Sequence, residues 1–241
     1  SIDPISVDAF PVAEDAVVSP LPDGRFQVVL EGRTLEADAV TLAVPSYAAA
    51  RLIAEEAIEP MIVVGITSGE ERLAEYAPGE AGEDYMRFIV ETVKPLVDGA
   101  FRTLPDREHT GIAGSSMGGL ISLYGFVRFP AVFGLVGAFS PALWFGQRAI
   151  YDVVAQADFS QGRVYMDVGT SEGANMRACT EEALAFSTIY LNDVNRMRDL
   201  LVDKGCTPGS DLQYVVAEGA IHNEADWALR LPDALRYLLA E

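Results

Sequence analysis

"HTGIAGSSMGGLISLYG", residues 109–125, decides the fold. Its first half, "TGIAG" over 110–114, reads as a short strand, and helical spacing follows over 117–129. Between them stands Gly114-Ser115-Ser116-Met117-Gly118, which fits G-x-S-x-G. Packing alone gives no reason to set two serines among glycines here. A strand that turns sharply into a helix does, because it strains the middle residue, Ser116, and holds its Oγ in the open. Glycines two before and two after leave room for close backbone approach. The helix N-terminus behind Ser116 adds a positive dipole, and the Met117 N–H faces a developing oxyanion.

A serine is a poor nucleophile until a base, itself oriented by an acid, takes its proton. The chain has two histidines. His109 sits at the far end of the nucleophile strand, roughly 16 Å from Ser116 at strand rise, and reads as a surface or edge residue. His222 lies in "AEGAIHNEADW", after the last strand, and is expected over the strand ends with Ser116. The acid is expected between them in sequence. "VYMDVGTSEG" offers two, Asp167 inside the strand and Glu172 beyond the Gly169-Thr170 turn. Geometry favours Glu172, and Asp167 is left to hydrogen bonds among the strand ends.

Outward from this stretch, strands and helices alternate. Residues 1–24 read as an irregular lead-in, and Phe26–Glu31 as a strand with a turn at Glu31-Gly32-Arg33. Ala39–Val44 is a further strand, 47–57 a helix, and "PMIVVGI" over 60–66 a fully buried parallel strand. Residues 67–82 read as a long polar loop, with Glu70, Glu71, Glu80, Glu83 and Asp84 as solvated acids. "EDYMRFIVETVKPLVDGAF" is a helix that Pro95 kinks. Strands follow at 133–141, 163–170 and 212–219, with helices at 180–204 and 225–240. Trp227 reads as core, and Arg230 as a surface partner of Glu224 or Asp226. The pattern predicts an α/β fold with a mainly parallel sheet and helices on both faces. It predicts one domain overall, with a lead-in and β-hairpin extension over 1–37 and the sheet domain over 38–241.

The 241 residues are 50% hydrophobic and 22% charged, enough for a sizeable core. A net charge of −19 repels phosphate backbones and anionic membranes, so neither nucleic acid nor a membrane is an expected partner. Cys179 and Cys206 lack CxxC spacing, which indicates no zinc site and leaves their pairing open. "SIDPISVDAF" shows no basic and apolar leader pattern, so a cytoplasmic chain is expected, with export open because the first residue is not Met.

"GIAGSSMGGLISLYGFVRFPAVFGLVGAFSPALWF", "VYMDVGTSEG" and "HNEADWALRLPDAL" together resemble the putative-esterase family of α/β-hydrolases over residues 52–241. This group holds esterase D-like, feruloyl and enterochelin-type esterases. The resemblance implies a serine carboxylic-ester hydrolase working through an acyl-enzyme. It implies Ser116 as nucleophile, His222 as base and Glu172 as acid, with Trp144 near the substrate pocket. It implies a small-molecule ester as substrate and no metal or organic cofactor. Members place a second oxyanion donor after an early strand, and the equivalent "AVTLAVPSYAAARLI" leaves the Ser46 or Tyr47 N–H for that role, since Pro45 cannot donate. Residues 17–53 more nearly resemble a segment of a flavin amine-oxidase-like protein, without the G-x-G-x-x-G fingerprint. Two alternatives stay open: acyl transfer to an acceptor other than water, and a catalytically silent binding module.

Overall fold

Four parallel strands carry the part of the molecule that matters for chemistry. They are β6 (Gly111–Ser115), β7 (Leu135–Phe139), β8 (Arg163–Gly169) and β9 (Leu212–Ala217), hydrogen-bonded in that order. The computed structural model describes residues 58, 61–66, 71–158, 162–174 and 180–240. It also describes the backbone of four strands before them, β1 (Val7–Pro11), β2 (Val17–Pro20), β3 (Phe26–Leu30) and β4 (Arg33–Ala37). The expected strand at 39–44, the helix at 47–57 and both Ser46 and Tyr47 lie outside the described residues.

Contacts divide the chain into one unit of residues 1–70 with 231–241 and another of Glu71–Arg230. In the first, β2, β3 and β4 form an antiparallel sheet in which Leu30 faces Arg33. The strand expected at 60–66 is present as β5 (Ile62–Ile66), but it is half-buried and pairs antiparallel with β1. Two readings are corrected here. Residues 7–11 and 17–20, expected to be irregular, are strands, and β5 is neither parallel nor fully buried. An apolar run reports that a strand packs, whereas its direction comes from the partner, and β1 has no sequence pattern to announce it.

In the second unit the region expected to be a loop holds a short helix, α1 (Arg72–Glu75), and the start of α2 (Glu80–Phe88). Glu80 and Glu83 in the first turn of α2 suit the positive end of its dipole. Glu83 is not merely solvated. It accepts from the Tyr124 hydroxyl at 2.8 Å and from Arg128 Nε at 3.1 Å, tying α2 to α4 (Met117–Arg128). A π-helical turn, Ile89–Val93, joins α2 to α3 (Lys94–Ala100). Pro95 sits in the first turn of α3, where its missing N–H costs least, and the break falls just ahead of it.

Helix α4 packs on β6 and β7 and is buried on nearly every side. Leu120 and Leu123 are wholly buried, as are Val136 and Ala138 of β7. Each such leucine contributes about 1.5–3 kcal/mol of hydrophobic stabilisation. Helix α5 (Ala149–Gln156) packs against α4, and the long α6 (Glu181–Asp203) against β8. Helix α7 (Glu224–Leu238) follows β9. Cys206 is a buried free thiol that burial, with Asp211 nearby, pushes up to about 12. No helix of the described residues is long and apolar enough to cross a membrane.

The strand register aligns the chemistry. Ser115, Phe139, Asp167 and Val215 lie side by side across the sheet. The residues just past that level, Ser116 and Ser140, therefore stand together at the carboxyl ends, where ligands bind in parallel sheets.

Candidate active site

Ser116 is the residue between β6 and α4. Its backbone has φ 56° and ψ −120°, a region that a non-glycine residue occupies only under constraint. Three bonds hold it there. Its N–H donates to Phe139 O at 2.9 Å, and its carbonyl accepts from Leu120 N at 3.1 Å and Ala142 N at 2.9 Å. Gly114 makes the elbow possible, since a Cβ there would lie 2.6 Å from the Gly118 carbonyl carbon. Gly118 differs from expectation, because a Cβ at that position meets nothing within 4 Å. Met117 is the first residue of α4, so its N–H has no acceptor within the helix.

The loops after β8 and β9 are laced together. Thr170 N–H donates to Ala217 O and Ser171 N–H to Ala220 O, both at 3.0 Å, and Gly219 N–H donates to Thr170 Oγ1 at 2.8 Å. Gly169 permits this approach, since a Cβ there would stand 2.2 Å from Ala220 O. The lacing brings Glu172 to His222. Their Oε2 and Nδ1 atoms are 2.6 Å apart, and the Glu172 side chain has no exposed surface. Glu172 Oε1 accepts from Gly169 N–H and from Ser140 Oγ–H, each at 2.5 Å. Burial alone would raise the Glu172 carboxyl. The hydrogen bonds from His222, Ser140 and Gly169 outweigh it and hold the group below its ordinary value.

The other carboxylate, Asp167, faces different partners. Arg230 grips it through Nε at 2.7 Å and Nη2 at 3.2 Å, Ser140 N–H donates to it at 2.9 Å, and the Tyr165 hydroxyl at 3.0 Å. Arg230 is thus not the surface partner of Glu224 or Asp226 that the sequence suggested. Its side chain is 9% exposed and its carboxylate partner wholly buried. The helical spacing of α7 shows which face Arg230 occupies but not that a buried acid waits there. Asp226 instead accepts from Ile221 N–H at 2.6 Å, helping to set the His222 loop.

Aromatic rings surround the imidazole. Trp227 meets it edge-on at 4.9 Å and Tyr190 lies 5.0 Å away. Tyr190 is buried, which pushes its phenol up, and Trp144 and Ser116 lie close enough to oppose that push. Ser116 Oγ makes no hydrogen bond to the imidazole among the described residues. Trp144 packs edge-on against Phe186 at 5.5 Å, and its buried indole N–H has no acceptor among the described residues. A cleft of about 300 Å³ opens beside His222, lined by Ile221, Asn223, Phe186 and the Glu172–Ala174 loop. Trp144 borders this cleft through Phe186 rather than lining it. His109 stands apart, exposed in a 3₁₀ turn and 2.6 Å from Asp106.

Sequence reasoning missed Ser140 and Tyr190. The first was placed inside a strand expected over 133–141, whereas β7 ends at Phe139. The available signal was Ser-Pro after an apolar run. Nothing in the sequence marks Tyr190 among the apolar positions of α6.

A parallel sheet with a strained serine between strand and helix, and an acid–histidine pair on later strand ends, defines an α/β-hydrolase. The chain belongs to the family described as Putative esterase, whose model matches residues 34–238, and is a carboxylic-ester hydrolase on that ground. The match begins inside the segment that resembles a flavin amine oxidase, earlier than the expected start at 52. The chain is 24% identical over 197 residues to the uncharacterized protein YbbA of Bacillus subtilis (strain 168), covering 76% of this chain and 75% of that one. Among solved structures it is similar to the siderophore hydrolase EstA from Aspergillus nidulans, with a TM-score of 0.63, 17% identity and 81% and 77% of the two chains covered. It is similar also to the enterobactin esterase FES from Shigella flexneri, with a TM-score of 0.59, 18% identity and 79% of this chain covered. The match spans 47% of that Shigella flexneri chain. These structural likenesses establish the fold.

Proposed function

We propose that this chain hydrolyses small-molecule carboxylic esters through an acyl-enzyme, with Ser116 as nucleophile, His222 as general base and Glu172 as the acid that orients it. The 2.6 Å contact between Glu172 and His222, at the same sheet rim as the strained Ser116, carries this reading. His222 Nε2 takes the Ser116 proton as Oγ attacks the ester carbonyl carbon. The Met117 N–H holds the oxyanion. The imidazolium returns the proton to the leaving alcohol. A water, deprotonated by His222, then attacks the acyl-enzyme and releases the acid. The hydrogen bond from Ser116 to His222 forms as substrate binds, since catalytic hydrogen bonds tighten in the bound complex. The relatives named as a siderophore hydrolase and an enterobactin esterase support a small ester as substrate.

A fluorophosphonate probe with peptide mass mapping tests the assignment. Ser116 is expected to carry the label and Ser115 to remain free. An unlabelled chain, or label on Ser115 alone, overturns it.

A further inference from the structure

Ser140 occupies the centre of the acid's surroundings. It is wholly buried, and its backbone takes φ 40°. A serine hydroxyl has one proton to give and two lone pairs to fill. Trp227 Nε1–H reaches Ser140 Oγ at 3.0 Å, and Arg230 Nη2–H reaches it at 3.1 Å. Indole and guanidinium nitrogens donate only, so both lone pairs are taken. The one remaining partner is Glu172 Oε1 at 2.5 Å, and the hydroxyl proton must point there. Asp167 anchors the arrangement from below, gripping Arg230 and accepting the Ser140 N–H.

We propose that Ser140 is a positioning residue: with its hydroxyl locked by Trp227 and Arg230, it donates to Glu172 Oε1 and so fixes the carboxylate with Oε2 toward His222 Nδ1 while tempering its basicity. Oε1 already accepts the Gly169 N–H as well, which leaves it no room for a proton. Oε2 alone then faces the imidazole. The imidazole N–H is held at Nδ1, and the Nε2 lone pair is left for Ser116. This rests on the reading of the site as a Ser116–His222–Glu172 hydrolase and names what sustains its acid. The charged and titratable groups facing Glu172 are His222 from the loop after β9, Tyr190 from α6 and, through Ser140, Arg230 from α7 and Asp167 from β8.

The experiment is the pH dependence of p-nitrophenyl acetate hydrolysis by Ser140→Ala, with circular dichroism as a check of folding. A carboxylate that loses a donor becomes more basic and holds the imidazolium more tightly. The acid limb of the rate profile is expected to move to higher pH. The kcat is expected to fall roughly 10- to 100-fold, the scale of one charge-assisted hydrogen bond, with KM changed by less than about twofold. Ser140→Cys, a weaker donor, falls between the two. An unchanged profile overturns the proposal, and so does a lower kcat with an unmoved acid limb, which is the mark of a merely structural role. If Ser140→Ala does not fold, Trp227→Phe frees one lone pair while keeping a ring against His222. Its acid limb then moves the same way by less, and an unmoved limb overturns the proposal. Failure of the underlying site reads out separately, as absent fluorophosphonate labelling of Ser116 in the unaltered protein.

Discussion

Glu172 and His222 stand fifty residues apart in the chain and 2.6 Å apart in space, joined because the loops after β8 and β9 are stitched backbone to backbone. The competing acid, Asp167, is wholly buried 2.7 Å from Arg230 instead. The two carboxylates therefore serve different tasks, one holding an imidazole and the other holding a cation.

Replacing Glu172 by Gln tests the first task. The amide keeps the shape but lacks the charge that stabilises an imidazolium and fixes its tautomer. Turnover of a p-nitrophenyl ester is expected to fall on the order of 10³- to 10⁴-fold. Asp167→Asn is expected to cost far less turnover. The reverse ranking would reassign the acid to Asp167.

Removing Arg230 tests the second task. Arg230→Ala leaves the Asp167 carboxylate buried without its counter-ion, and breaking such a pair from one side costs about 3–5 kcal/mol. Urea unfolding reads the loss directly. A change below about 1 kcal/mol would mean that the pair behaves like an exposed one.

The two motif glycines are expected to part company. Gly114→Ala places a methyl 2.6 Å from backbone that cannot retreat, so the elbow opens and fluorophosphonate labelling of Ser116 is lost. Gly118→Ala meets nothing within 4 Å. Inside the first turn of α4 it is expected to raise stability by up to about 1 kcal/mol, measured by urea unfolding.

Acid should weaken the fold through Glu172. Its folded value lies below the ordinary 4.5, so the unfolded chain binds more protons in the interval between. Stability from this group is complete above 4.5 and is lost as pH falls through the lower folded value. Asp167, raised chiefly by burial against the pull of Arg230, opposes this over the carboxylate range. The stability gap between the parent protein and Glu172→Gln is therefore expected to narrow as pH falls below 4.5, followed by urea unfolding. A gap independent of pH would contradict the lowered value.

Much of the molecule was readable beforehand, for reasons tied to particular residues. The strand expected at 163–170 is β8, Arg163–Gly169, and the helix expected at 180–204 is α6, Glu181–Asp203. Their apolar spacing follows from burial, which a sequence records directly. The elbow was legible because few other reasons put glycines on both sides of a serine after a strand. By contrast, β1, the antiparallel partner of β5, was not legible, since a short strand with mixed side chains carries no period. Tyr190, Trp227 and Arg230 each sit on a helix whose pattern does not reveal what they touch.

The sequence by itself determined that strands and helices alternate, that one serine lies at a forced turn, and that two acids and one histidine follow in a usable order. These are local properties, set by backbone sterics and by the side-chain periods of strand and helix. Only the tertiary structure decided which acid meets the histidine, that Arg230 is buried, and that Ser140 gathers Glu172, Trp227 and Arg230 around a single oxygen. Those outcomes depend on strand register and on the close packing of Gly169 against Ala220. Both are fixed by contacts between segments far apart in the chain, and no local pattern encodes them.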